Sequence, residues 1–187
     1  VVITIVFSFS VLSFAAQAKN VILMIGDGMG PAHVQAAWLY ATKQLGKSFV
    51  MTDIMNKGRT ALIVNDTLDS TVSESAEAAT QMATGVKVHV KNISFLDDKA
   101  LKTILEMAKA KGKTTGLVTT SGITDATPAS FATHVENRSR EDVIAEQLIK
   151  SEVNILFGGR KAFFIPEAEK GKRKDGRNLL NEAKKNG

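Results

Sequence analysis

The chain has 187 residues, a formal net charge of +5, 44% hydrophobic and 23% charged residues, and no cysteine. That length and balance suit one globular domain with a real core, and the missing cysteines exclude disulfides, thiolate metal sites and a cysteine nucleophile. Lys and Arg gather between Glu169 and Lys185 with no interleaved aromatic residues. The expectation there is a solvated surface, with no nucleic-acid partner.

Val1 to Phe14 is uncharged and almost wholly apolar or Ser/Thr, Ala16-Gln17-Ala18 is a small-x-small pattern, and Lys19 begins a polar chain. This reads as the apolar region and cleavage site of a secretory signal peptide over residues 1–18, truncated at its start. The run is short for a membrane span. An exported protein is expected, periplasmic or extracellular, with no stable membrane span once the signal is removed. The mature domain then covers 19–187.

Asn20 to Ile25 runs five apolar residues into Gly26-Asp27-Gly28-Met29-Gly30. A continuous apolar run bounded by turn residues predicts a strand buried on both faces. Asp27 would sit past its C-terminal edge, where open α/β sheets place their ligands. Local pattern leaves two readings open, a helix cap and a functional carboxylate. Pro31 is a favoured first helical residue. Val34, Trp38, Ala41 and Leu45 recur at helical spacing until Gly46, with His33 in the first turn as a surface residue. Residues 58–64 read as a second strand, and Asn65 to Ser70 as a polar turn.

Val72 to Gly85 is dominated by small residues and predicts a short, closely packed helix starting near Ser75. The Ser75 hydroxyl has two uses there. It can cap the helix, or it can act as a nucleophile beside the positive helix end that favours a bound phosphate. Nothing nearby in sequence would activate it, so the local pattern favours the cap. Ala100 to Lys111 predicts an amphipathic helix, with Leu101, Ile104, Leu105 and Ala108 on one face and Gly112 at its C-cap. Thr115 to Thr119 predicts a strand leading to Thr124-Asp125-Ala126-Thr127-Pro128. Glu141 to Ser151 predicts a helix, and Val153 to Phe157 a strand before Gly158-Gly159. Strands alternating with helices imply an α/β fold with a mainly parallel sheet covered on both faces. Asp27 and Asp125 at successive strand ends, with a hydroxyl at a helix start, suit a hard divalent cation without naming a reaction.

At these residues the sequence resembles the alkaline phosphatase family. Lys19 to Gly30 is similar to the family's opening strand and metal-binding elbow. Thr80 to Lys87, ending Ala83-Thr84-Gly85-Val86-Lys87, is similar to the tail of its nucleophile helix. Asp125-Ala126-Thr127-Pro128-Ala129, with His134 and Arg138 following, is similar to its magnesium- and phosphate-binding segment. The resemblance covers Lys19 to about Gly159, the N-terminal part of a typical member. It implies a three-layer α/β/α sandwich, incomplete here, and hydrolysis of phosphate monoesters through a phosphoserine. It also implies two Zn2+ and one Mg2+, and a homodimer when full length. By the same resemblance Ser75 is the nucleophile and touches metal, and Asp27 bridges a zinc and the magnesium. Thr127 gives its hydroxyl to magnesium, Asp125 sits beside that ion as ligand or through water, and Arg138 clamps two phosphate oxygens.

Two departures stand out. The family usually has Asp-Ser-Ala followed by small residues, whereas this chain has Glu74-Ser75-Ala76-Glu77. Glu74 is longer than the usual partner of Arg138. Glu77 would repel a phosphate unless it turns outward or binds a cation. Ser70 is the competing serine, but choosing it would misplace the Ala83-Thr84-Gly85-Val86-Lys87 match. The second departure is that the family's remaining zinc ligands and its magnesium-binding Glu belong to a C-terminal half, and His33, His89 and His134 do not match them. The chain therefore reads as an N-terminal fragment, inactive alone. The rival readings are a related phosphodiesterase or sulfatase-like hydrolase, and a non-catalytic secreted protein that binds phosphate or metal.

Overall fold

A computed structural model describes residues 18–185. The signal segment expected over 1–18 lies, but for Ala18, outside them. The first helix, α1 (Pro31–Leu39), opens with Pro31 at its first position and runs on into a π-helical turn, Tyr40–Gln44. Gly46 follows at φ 60°, a left-handed conformation that suits glycine. Next come α2 (Val50–Lys57) and α3 (Ser75–Thr84). Gly85 ends α3 at φ 75°, and its N–H donates to Gln81 O at 2.8 Å. This is a left-handed cap, at the glycine where the small-residue segment was expected to end.

A small antiparallel hairpin pairs β1 (Phe95–Leu96) with β2 (Lys99–Ala100). Asp97 and Asp98 turn it with φ of 49° and 60°, the two positive values that a tight two-residue hairpin turn demands. Helix α4 (Ile104–Ala110) starts later than the Ala100 expected from periodicity. The hairpin occupies Lys99 and Ala100, and Thr103 caps the helix. The Thr103 hydroxyl accepts the Glu106 N–H at 3.1 Å while the Glu106 carboxylate accepts the Thr103 N–H at 2.8 Å, a reciprocal capping box.

The remainder is a strand–helix–strand unit and its cover: β3 (Gly116–Gly122), α5 (Ala126–Ala129), α6 (Glu141–Lys150), β4 (Ile155–Gly159) and α7 (Leu179–Lys185). Strands β3 and β4 pair in parallel, Gly116 opposite Ile155 and Val118 opposite Phe157, with a register irregularity before Gly122 meets Gly159. The fold is thus α/β with a parallel sheet. One core joins Ala76, Ala79 and Ala83 of α3 to Leu117 of β3, Ala126 and Ala129 of α5, Ile144 and Leu148 of α6, and Leu179 of α7. The three alanines recur at one helical face and have little bulk, which lets α3 lie close against α5.

Two expected strands do not form. Residues 20–25 and 58–64 have no regular structure, and their apolar side chains lie open: Met24 is 90% exposed and Leu62 98%. Hydrophobic patterning supplies a buried face but no ladder, and among the described residues no strand pairs with either segment. Val118 and Phe157 likewise stand out from the paired sheet at 73% and 65% exposure. No helix among the described residues is long and apolar enough to cross a membrane.

Thr103 is fully buried and its hydroxyl also donates to Phe131 O at 2.6 Å, tying the start of α4 to the segment after α5. Thr103→Ala removes the cap and strands that carbonyl. The expected loss is about 1–3 kcal/mol of unfolding free energy, read from the urea midpoint, with Thr103→Ser keeping most of it.

Candidate functional site

Asp27 sits in a tight turn closed by Met29 N–H on Gly26 O at 3.1 Å, with Gly28 at φ 69°. It does not cap α1, because Gly30 holds that position. Its carboxylate faces the other way. Oδ1 accepts the Ser75 hydroxyl at 2.9 Å and Oδ2 accepts the Thr127 hydroxyl at 2.8 Å. The two donors lie 48 and 100 residues along the chain. Ser75 is the first residue of α3 and Glu74 holds the cap position, so the local preference for a capping Ser75 fails. Three segments thus bring one carboxylate and two hydroxyls to the wall of an open cleft of about 350 Å³, with Met29, Asn65 and Met82 beside them.

Asp125 is the second centre. It caps α5, and Oδ1 accepts the Ala126 N–H at 2.8 Å and Arg138 Nη2 at 2.9 Å. Oδ2 accepts the Ser121 hydroxyl at 2.9 Å and Arg160 Nη2 at 3.2 Å. Four donors occupy the lone pairs of one carboxylate. Burial pushes the Asp125 carboxyl upward, but the Ala126 N–H, the Ser121 hydroxyl and the two guanidinium charges outweigh it and hold it below the ordinary value. The other Arg138 nitrogen stands 3.5 Å from the exposed Glu74 carboxylate. The anticipated Glu74–Arg138 partnership survives only as this long contact.

Arg160 and Glu141 went unread in the sequence. Arg160 Nη1 donates to Glu141 Oε2 at 2.7 Å, and the same oxygen accepts the Thr124 hydroxyl at 2.6 Å. The Arg160 side chain lies over Gly122, where a Cβ would come within 2.1 Å of it. A usable signal existed. Arg160 directly follows β4 just as Asp125 follows the end of β3, and parallel strands share one carboxyl edge.

Glu77 departs from both expectations for it. It neither turns outward nor enters the cleft, and is fully buried. Its Oε1 accepts the Lys91 N–H at 3.1 Å, and its Oε2 has no partner among the described residues. The histidines are engaged elsewhere. His134 sits between Ser94 O and Glu106 Oε1, each at 2.9 Å, His89 faces Asp69, and His33 accepts the Gly30 N–H. The oxygen donors Asp27, Ser75 and Thr127 fit a hard divalent cation such as Mg2+. Zinc does not fit in the same way: among the described residues no three His, Asp or Glu side chains cluster as a ligand set.

Comparison with known proteins gives one consistent answer. The family model described as "Alkaline phosphatase" matches residues 18–187. The repressible alkaline phosphatase of Saccharomyces cerevisiae is 38% identical over 195 residues, covering 96% of this chain and 34% of the yeast protein. The crystal structure of Thermus thermophilus alkaline phosphatase superposes with a TM-score of 0.75 at 33% identity, over 82% of this chain and 32% of that one. A mutant of TAB5 alkaline phosphatase, solved with Mg bound, gives a TM-score of 0.62 at 36% identity over 67% of this chain and 35% of that one. The chain spans about a third of the length of the curated relatives it matches.

The state of Asp125 has a measurable consequence. Its folded value lies below the unfolded value of about 3.9, so the carboxylate's contribution is fully present above that pH. It is lost as pH falls through the folded value. Urea midpoints are expected to drop on acidification below about pH 4, and Asp125→Asn should flatten that part of the profile while lowering stability at neutral pH.

Proposed function

Because this chain belongs to the alkaline phosphatase family, we propose that the protein hydrolyses phosphate monoesters through a phosphoserine on Ser75. The observation that carries this reading is the Asp27 carboxylate joined to both the Ser75 and Thr127 hydroxyls across 48 and 100 residues. A bare helix cap would need neither link.

Ser75 opens α3, beside the free N–H groups and partial positive charge that favour a phosphate. Its proton is directed at Asp27 Oδ1. In the first step Ser75 Oγ bonds to phosphorus as the ester P–O bond breaks, and the alcohol leaves with a proton. Water then cleaves the phosphoserine to inorganic phosphate. Arg138 has one nitrogen fixed by Asp125, which orients the rest of its planar fork for phosphate oxygens. Asp125 has all its lone pairs engaged by four donors, so its part in the site is to orient Arg138 directly. Asp27 and Thr127 would hold Mg2+, with Ser75 at its edge; such an ion supplies charge stabilisation to the developing oxyanions. The two zinc ions that the family implies need ligands other than the described residues, so the steps above use this chain's own groups.

Glu77 lies outside the cleft and does not oppose a phosphate there, which removes the main motive for a binding-only reading. Export remains the reading of Ala16-Gln17-Ala18, and a homodimer that of the family.

In the full-length protein, Ser75→Ala is expected to lower turnover of an aryl phosphate monoester by roughly a thousandfold or more. Mass spectrometry of acid-quenched wild-type protein should find a phosphoryl group on Ser75. Preference for a diester or a sulfate over the monoester, or an unlabelled Ser75 during turnover, would overturn the proposal.

A further inference from the structure

Glu77 is the third residue of α3, where a glutamate ordinarily reaches back to its own helix cap. Here it reaches sideways into the interior. Its Oε1 accepts the N–H of Lys91, a residue held at φ 73°. A non-glycine residue adopts that conformation only when its surroundings fix it. The Lys91 carbonyl in turn accepts the Arg138 N–H at 2.9 Å. Beside this link, Ile93 and Val135 exchange two backbone bonds, N–H to O, at 2.9 and 3.0 Å. The segment 91–93 therefore lies against 135–138 as a short antiparallel pair, and Glu77 pins its outer end to α3.

Ser75 lies two residues before Glu77 on the same helix. Arg138 is fixed at its backbone through Lys91 and at its guanidinium through Asp125. We propose that Glu77 is a positioning residue, setting the register between the Ser75 helix and the backbone of Arg138 by accepting the Lys91 N–H. The phosphate-binding part of this inference rests on the phosphatase reading above. Its chemical requirement is an acceptor oxygen at this depth, not a charge. Oε2, which has no partner among the described residues, makes no contribution to the link and can be replaced.

The test compares Glu77→Gln and Glu77→Ala in the full-length protein, with inorganic phosphate as ligand and amide hydrogen exchange as an independent readout. Glu77→Gln keeps the acceptor oxygen and is expected to bind phosphate within about threefold of wild type. Glu77→Ala is expected to bind about tenfold more weakly, with faster exchange at the Lys91 and Arg138 amides and unchanged exchange in β3 and α6. Wild-type affinity in Glu77→Ala, equal weakening in both variants, or exchange raised throughout the chain would each overturn the proposal. If the wild type binds no phosphate, the phosphatase reading falls. The exchange at Lys91 and Arg138 then decides the Glu77 link alone: faster in Glu77→Ala only upholds it, unchanged refutes it.

Discussion

The arrangement around the cleft depends on one saturated carboxylate. Asp125 takes a backbone N–H from the helix it caps, a hydroxyl from the end of β3 and a guanidinium from each of two separate segments. Strand, helix and two distant loops are thereby fixed to one group. Arg160 gains a second anchor at Glu141, at the start of α6, and Glu141 holds Thr124 on the other side of Asp125. Removing any one donor leaves the remaining charges without part of their compensation, so these contacts act as a unit.

Much of the architecture was legible because it rests on local physics. Gly85 had to end α3, and the alanine stripe of α3 had to pack closely. β3, α6 and β4 lie close to the segments read for them, α6 by its helical period and β4 by the Gly158-Gly159 that closes it. The unread parts depend on partners far along the chain. The apolar runs at 20–25 and 58–64 look like strands, yet a strand is defined by its ladder, and periodicity cannot supply one. The β1–β2 turn uses Asp97 and Asp98 where Asn-Gly would have signalled it. Thr103 and Glu106 form a capping box that sequence alone contains but periodicity overran.

The candidate site divides in the same way. Asp27, Ser75 and Asp125 stood out by pattern, a family resemblance gave their roles and added Thr127 and Arg138, and in the structure Asp27 meets Ser75 and Thr127 while Asp125 meets Arg138. Arg160 and Glu141 were passed over because an arginine after a strand and a glutamate opening a helix have ordinary surface roles, although Arg160's place just after β4 was a usable signal. Glu77 was misjudged because its sequence position gives its turn on the helix and not its direction in space. Burial of a carboxylate with one unpaired oxygen is a cost of roughly 1–3 kcal/mol, and no pattern of residue types reports it.

The Asp27–Thr127 bond closes a loop of 100 residues. On a ribosome adding about 5–20 residues per second, Asp27 would wait roughly 5–20 s for its partner to be made. Ser75 arrives sooner, but α3 packs against α5, which comes with Thr127. During that interval, as in the folded chain, Val21 to Met24 is an exposed, unpaired apolar tract. Such a tract is a natural binding site for a chaperone and a starting point for misassembly. Asp27, the first of the candidate site residues in the chain, is thus among the last to be secured, because its partner Thr127 is made 100 residues later.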